Sequence, residues 1–65
     1  MNFKGREYEN KKYIGADGGY EDLKRGKKYW ISVEKKGKYN YVYRMFRRQP
    51  YVFTDSDLIK SWTNV

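Results

Sequence analysis

Short runs of alternating apolar and polar residues fill most of the chain, and glycines separate them. The clearest run is YWISVE at 29–34, in which Tyr29, Ile31 and Val33 share one side while Trp30 points to the other. Alternation with a period of two is typical of a strand with one buried face. We therefore expect a strand here, with Tyr29, Ile31 and Val33 in the core and Trp30 turned away from them.

A second run follows the turn KKGK at 35–38, where Gly37 is expected to take a positive φ. It places tyrosines at every second position on one side of the next strand. This tyrosine row consists of Tyr39, Tyr41 and Tyr43. On the other side we expect Val42 and Phe46 to pack inward, which leaves the tyrosine row at least partly exposed. The alternative, in which the row fills the core, stays open because tyrosine also packs in protein interiors.

Further strands are predicted at 11–15, 51–54 and 62–65. A helical or 3₁₀ turn is expected near residues 55–61, because Thr54 is a favourable N-cap residue and Asp57 stands three positions later. Loops are predicted at 16–23, around the turn pair Asp17-Gly18, at 24–28 and at 47–50. Five short strands and one helical turn predict an all-β fold, a small closed barrel whose closure protects the edge strands.

The length of 65 residues allows a single domain covering residues 1–65, and the pattern leaves the order of residues 1–10 open. The sequence contains no Cys and no His, which excludes disulfides, thiol nucleophiles and the usual zinc and haem ligands. Thirteen aromatic residues must therefore supply most of the core. The lack of Cys and of an apolar targeting or membrane-spanning segment predicts a cytoplasmic protein that does not enter a membrane.

The net charge of +7 is concentrated in the middle of the chain. Ten of the fifteen basic residues and one of the eight acidic residues lie between Leu23 and Gln49, so this stretch carries +9 and the rest −2. A localised positive field favours a polyanionic partner such as nucleic acid. The alternative is a solvated surface that keeps an aromatic-rich protein in solution.

No group of residues has the pattern of a catalytic site, and we expect a protein that is not an enzyme and binds no cofactor, metal or small-molecule substrate. Nucleophilic catalysis commonly uses His or an activated Cys, and the sequence has neither. Asp55 and Asp57 are better explained as residues at the start of a helical turn than as metal ligands. The acidic residues of the first loop are typical of a solvated turn, and they are Asp17, Glu21 and Asp22.

Several residues together carry a resemblance to a known family. They are Tyr13-Ile14-Gly15, Leu23, Gly26-Lys27, Tyr29, Ile31 and Tyr51. With the short turn and terminal strand that follow, this pattern over residues 12–65 resembles the SH3-like small-barrel proteins encoded by phages and Gram-positive bacteria. The resemblance implies an SH3-like barrel and a phage or mobile-element origin. It implies less about function, because SH3-like barrels bind proline-rich peptides, nucleic acid or other proteins.

The aromatic and basic residues together predict a small non-catalytic nucleic-acid-binding module. Bases of a single strand stack on a row of tyrosines, while Lys and Arg side chains contact the phosphates. Single strands are favoured over a specific duplex site, since no predicted helix is long enough to enter a major groove. The candidate nucleic-acid-binding residues are Lys24, Arg25, Lys27, Lys28, Trp30, Lys35, Lys36, Lys38, Tyr39, Tyr41, Tyr43, Arg44, Arg47 and Arg48.

The alternative hypothesis is a protein–protein interaction module, a phage protein that docks on a host or phage protein. Exposed Tyr and Arg side chains also form the hot spots of protein interfaces, so the same residues fit both hypotheses. The sequence does not distinguish DNA from RNA as the nucleic acid. It also leaves the oligomeric state open, because the tyrosine row could form a dimer interface.

Overall fold

The computed structural model describes residues 1–16 and 22–65. These residues form the strands β1 Asn2–Phe3, β2 Arg6–Glu7, β3 Glu9–Tyr13, β4 Lys28–Lys36, β5 Tyr39–Arg44, β6 Tyr51–Thr54 and β7 Trp62–Asn64, and the helix α1 Asp55–Ser61. The predicted turn pair Asp17-Gly18 and the acidic Glu21 lie outside the described residues. A mostly β structure with one short helix confirms the all-β class predicted from the alternating pattern.

Five of these strands form one antiparallel sheet in the order β6-β5-β4-β3-β7, while β1 and β2 pair separately as a hairpin. Strands β6 and β7 are the two edges of the described sheet, so the closed barrel expected from the sequence is not detected in this part of the chain. Helix α1 joins β6 directly to β7 and packs against both strands.

The first strand of the five-stranded sheet begins and ends two residues earlier than predicted, at Glu9 and Tyr13. It ends there because the chain folds back over the Tyr13 side chain, whose hydroxyl donates a hydrogen bond to the carbonyl oxygen of Ala16 at 2.9 Å. A Cβ atom on Gly15 would lie 2.5 Å from the Tyr13 hydroxyl oxygen. Glycine is therefore the residue that allows this close approach.

The helical segment is an α-helix of seven residues over the predicted range 55–61. The Thr54 hydroxyl accepts a hydrogen bond from the backbone N–H of Asp57 at 3.2 Å, which confirms the predicted N-cap. Asp55 and Asp57 lie in the first turn and Lys60 in the last, the arrangement that the helix dipole favours. The turn between β4 and β5 is also as predicted, with a φ of 62° at Gly37.

The core lies on one side of the sheet, which we call the inner face, and Leu58 of α1 packs against it. Its buried members are Tyr13, Leu23, Tyr29, Ile31, Val42, Tyr51, Phe53 and Trp62. The predicted burial of Tyr29, Ile31 and Val42 is confirmed. The prediction for Val33 is wrong, because this side chain is 46% exposed beside an open groove next to α1.

The prediction that Phe46 packs inward is also wrong, since its side chain is 88% exposed. Strand β5 ends at Arg44, and Phe46 takes a φ of 68° in the turn that follows. The alternation of a strand therefore stops before Phe46, and a period of two no longer assigns its side.

The sequence leaves open whether residues 1–10 are ordered, and in the structure they form a hairpin followed by the start of β3. The turn pair Lys4-Gly5 has φ values of 52° and 80°, as a type I′ turn requires. Tyr8 is buried outside the main core, where its ring centroid lies 6.1 Å from that of Phe3. The Phe3 ring in turn lies 5.2 Å from the Phe46 ring, so a small aromatic cluster joins the hairpin to the turn after β5.

Candidate nucleic-acid interface

The tyrosine row lies on the outer face of the sheet, the side opposite the core. In the ladder between β4 and β5, Tyr39, Tyr41 and Tyr43 stand opposite Lys36, Glu34 and Ser32. Tyr39 is 49% exposed, whereas Tyr41 and Tyr43 are half-buried, and none of the three belongs to the core cluster. Neighbouring side chains on one face of a strand stand about 7 Å apart, so successive bases of an extended strand can stack on them.

Two cations lie over the rings of the tyrosine row. The Arg6 guanidinium is 3.6 Å from the centre of the Tyr43 ring, and Lys36 Nζ is 5.2 Å from the centre of the Tyr41 ring. Arg6 is also held by Glu34, with 3.5 Å between guanidinium and carboxylate. Tyr43 is therefore already covered on one side, which leaves Tyr39 and Tyr41 as the better-placed stacking residues.

The sequence analysis missed Arg6, which comes from the N-terminal hairpin and reaches Tyr43 through tertiary structure. The turn pair Lys4-Gly5 is the signal that could have found it. A Gly at the second position of a two-residue turn favours a hairpin, because it tolerates the positive φ that the turn requires. The hairpin places Arg6 over the sheet.

Other basic and aromatic residues extend the outer face beyond the tyrosine row. Trp30 is 41% exposed, on the side of β4 opposite the buried Tyr29 and Ile31. Lys28 stands directly opposite Lys12 across the ladder between β3 and β4. Like charges placed opposite each other repel, so a bound anion would stabilise this pair. Neither lysine forms an ion pair among residues 1–16 and 22–65.

The remaining basic residues of the predicted set lie outside the strand positions of the outer face. Exposed residues in the loops and turns are Lys24, Arg25, Lys27, Lys38 and Arg48. Lys35 belongs to the opposite side of the sheet, because it pairs in register with the buried Asn40. Its Nζ lies 2.8 Å from a carboxylate oxygen of Asp55 at the start of α1. The structure therefore assigns Lys35 a contact within the protein.

Arg44 and Arg47 form a cluster with Asp22 and Tyr51, which we call the Asp22 cluster. One carboxylate oxygen of Asp22 lies 3.2 Å from Arg44 Nη1 and 3.1 Å from Arg47 Nε. The other accepts a hydrogen bond from the Tyr51 hydroxyl at 2.7 Å. The two guanidinium groups also lie over aromatic rings, Arg44 over Tyr29 at 4.6 Å and Arg47 over Tyr51 at 4.0 Å. These two predicted phosphate contacts are thus occupied within the molecule.

Asn40 is a second polar residue that the sequence analysis did not single out. Its side chain is buried on the inner face and donates hydrogen bonds to the carbonyl oxygen of Phe53 at 3.3 Å and to Asp55 at 2.7 Å. The amide therefore satisfies its donors while it ties β5 to β6 and to the start of α1. An Asn within a run of tyrosines carries no sequence signal for this role.

Hydrogen bonds lower the pKa values of the Asp22 and Asp55 carboxyl groups. The hydrogen bond from Tyr51 and the charge of Arg47 hold the pKa of Asp22 below its usual value, although desolvation opposes them. The Asn40 amide and then Lys35 lower the pKa of Asp55. Burial raises the pKa of Tyr51, so its hydroxyl stays protonated and donates to Asp22 at neutral pH.

We expect stability to fall when the pH drops below about 4, because the pKa values of Asp22 and Asp55 lie below the usual 3.8. The unfolded chain binds protons first, so the stabilisation is fully present above 3.8 and is lost as the pH falls through the lowered pKa values. Urea midpoints measured from pH 6 to pH 2.5 test this. The Asp22→Asn variant should show a shallower acid slope than the wild type. An equal slope in the two proteins would contradict the assignment.

An open groove of about 420 Å³ lies on the inner side of the sheet, beside α1. Its apolar lining includes Ile31, Val33, Leu58, Ile59 and Trp62. Ile59 is 77% exposed, so this wall of the groove meets solvent directly. The groove has an apolar character and lies away from the tyrosine row.

The described residues offer no cluster of three or more His, Cys, Asp or Glu that could hold a metal ion. Nor is any helix in residues 1–16 and 22–65 long and apolar enough to cross a membrane. Comparison with known proteins gives no further constraint, because no family model, curated protein or solved structure matches this chain.

Proposed function

We propose that this protein is a non-catalytic nucleic-acid-binding module that binds single strands on the outer face of its sheet. The observation that carries the proposal is the position of Tyr39 and Tyr41 next to each other on that face, with Lys36 beside them. A net charge of +7 supports it, because a polyanion is attracted before any specific contact forms. Trp30 and the Lys12–Lys28 pair extend the same face along β4 and β3.

In this proposal, two kinds of contact contribute to the free energy of binding. Bases stack on Tyr39 and Tyr41, each contributing about 1–3 kcal/mol, and the lysines of the outer face contact phosphates. Stacking accepts every base, so we expect little sequence preference. Helix α1 has only seven residues and begins and ends between two strands, so it is not a candidate to read a major groove.

Fluorescence anisotropy of labelled oligonucleotides over a salt series tests the proposal. We expect submicromolar binding of a 12-nucleotide single strand at about 150 mM salt, tighter than the 10⁻⁴–10⁻⁶ M typical of non-specific contacts. The logarithm of the affinity should fall with the logarithm of the salt concentration with a slope of about −2 to −4, as for three to six phosphate contacts. A duplex of the same length should bind more weakly. Absence of binding at low salt would overturn the proposal.

We also propose that the fold is a variant of the SH3-like small barrel, related to the phage and Gram-positive proteins that the sequence resembles. Five antiparallel strands and a helical segment before the last strand support this assignment. So does the burial of Leu23, Tyr29, Ile31 and Tyr51, four of the residues that carry the resemblance. Within residues 1–16 and 22–65, β6 and β7 are the edges of the sheet, whereas a fully closed barrel would pair them.

Docking of a protein partner is the second candidate function, and the apolar groove beside α1 is the observation that favours it. Val33 and Ile59 expose apolar surface there, with 46% and 77% of their surface accessible to solvent. If this is the function, oligonucleotides should not bind even at low salt. A purified host or phage protein should bind the wild type with measurable affinity. Ile59→Asp should lower that affinity at least about tenfold, whereas Tyr39→Ala should leave it unchanged.

A further inference from the structure

The Asp22 cluster has the donors of an anion site, and an acidic side chain of the same protein occupies it. Arg44, Arg47 and Tyr51 each direct a donor at the two carboxylate oxygens of Asp22, over distances of 3.2, 3.1 and 2.7 Å. Two guanidinium groups face a single carboxylate, so the cluster keeps an excess of one positive charge. An anion with more oxygens and more charge than a carboxylate would use these donors more fully.

Each of the two guanidinium groups also lies over an aromatic ring. Arg44 lies over Tyr29, and Arg47 over Tyr51, and both tyrosines are buried in the core. The Asp22 side chain is 44% exposed, against 31% for Arg44 and 29% for Arg47. The acidic occupant is therefore the more solvent-exposed part of the cluster.

We propose that Arg44, Arg47 and Tyr51 form a phosphate-binding site, that the Asp22 carboxylate occupies this site in the free protein, and that a phosphate group of the bound nucleic acid displaces it. The link to nucleic acid rests on the function proposed above. Arg44 directly follows Tyr43 at the end of β5. The site therefore lies close to the end of the tyrosine row, although its side chains are on the inner face of the sheet. Asp22 then acts as an internal competitor that weakens binding until a phosphate replaces it.

A purely structural ion pair makes the opposite prediction for the loss of the charge. If Asp22 only ties its loop to the turn after β5, replacing it weakens the fold slightly and does not improve the binding of any anion. If Asp22 competes with phosphate, its replacement frees the two guanidinium groups and raises the affinity. Asparagine is the suitable replacement, because it keeps the shape and one of the two acceptor oxygens while it removes the charge and puts an NH2 donor in place of the other oxygen.

The test compares wild type, Asp22→Asn and Asp57→Asn. Asp57→Asn is the matched control, since it changes the net charge equally from the exposed helix α1. At about 150 mM salt we expect Asp22→Asn to bind a single-stranded 12-mer about 3- to 30-fold more tightly than wild type, the range that two partly exposed ion pairs would produce. We expect Asp57→Asn to change the affinity less than about twofold. The same strand with and without a 5′-phosphate distinguishes the two sources, because an equal gain for both identifies backbone phosphates and a gain for the phosphorylated strand alone identifies a terminal phosphate.

A second measurement remains informative if no oligonucleotide binds. The side-chain Nε–H signals of Arg44 and Arg47 are followed by NMR while inorganic phosphate is added. The proposal expects these signals to shift at a lower phosphate concentration in Asp22→Asn than in the other two proteins. Equal titrations in all three proteins, or an unchanged oligonucleotide affinity in Asp22→Asn, would overturn the phosphate site. Absence of oligonucleotide binding together with a phosphate shift in Asp22→Asn would overturn the proposed function and retain the site.

Discussion

Replacing Tyr39 and Tyr41 together by alanine should lower the affinity for a single-stranded oligonucleotide by about 30-fold or more at constant salt. Each ring contributes about 1–3 kcal/mol to stacking, and the two contributions add when the bases are neighbours on one strand. Both side chains lie on the outer face, away from the core cluster, so the variant should fold. Anisotropy at about 150 mM salt gives the loss, and circular dichroism checks the fold.

Two control variants show whether the loss belongs to these rings. Ile59→Ala removes an apolar side chain that is 77% exposed on α1 and should leave oligonucleotide affinity unchanged. Tyr43→Ala should lower the oligonucleotide affinity less than Tyr39→Ala or Tyr41→Ala alone, because Arg6 already covers one side of the Tyr43 ring at 3.6 Å. The salt slope should stay the same in all these variants, since none removes a cation. A loss below threefold in the double variant would mean that the outer face is not the stacking surface.

Phe53→Ala should lower the free energy of unfolding by about 3–5 kcal/mol, which is roughly a third or more of the total. The side chain is 1% exposed, and its ring contacts Trp62 in the centre of the core. Truncation of a buried Phe costs about 3–5 kcal/mol, which combines the lost burial with the cavity that remains. A chain of 65 residues has a total stability of only about 3–10 kcal/mol. Urea denaturation followed by tryptophan fluorescence measures the remaining stability.

The neighbouring residue in the same strand provides the control for Phe53. Val52 points to the outer face and is 45% exposed, so Val52→Ala should cost less than about 1 kcal/mol. If Phe53→Ala cost no more than Val52→Ala, the assignment of the inner face of β6 would be wrong. The two variants differ in which side of one strand they truncate, and only the inner side should matter strongly.

Local pattern was sufficient to predict most of the strands. Tyr29 and Ile31 were correctly placed inside because buried and exposed positions alternate in the first half of β4, and Thr54 was correctly identified as a cap because its hydroxyl acts on a residue three positions away. These interactions are set by residues close in the chain. The prediction failed where a strand ended, as at Phe46, because a period of two says nothing about the position of the last strand residue.

The contacts that modify the candidate site could not be read from local pattern. Arg6 meets Tyr43, and Asp22 meets Arg44 and Arg47, and in each case the partners lie far apart in sequence. Composition correctly identified these residues as charged and aromatic but gave no information on which charges neutralise each other. The predicted phosphate contacts of Arg44 and Arg47 thus depend on tertiary pairing with Asp22, and the Asp22 variant tests that pairing directly.

The ladder between β3 and β7 has a consequence for the order of folding. It pairs Lys11 with Asn64 and Tyr13 with Trp62, so it joins segments near the two ends of the chain, whereas β4–β5 and β5–β6 join neighbouring segments. The neighbouring hairpins close short loops and can form early. The β3–β7 ladder closes a loop of almost the entire chain, so it forms after them. Trp62 enters the core through that last ladder, so the hydrophobic centre becomes complete only when the two ends of the chain meet.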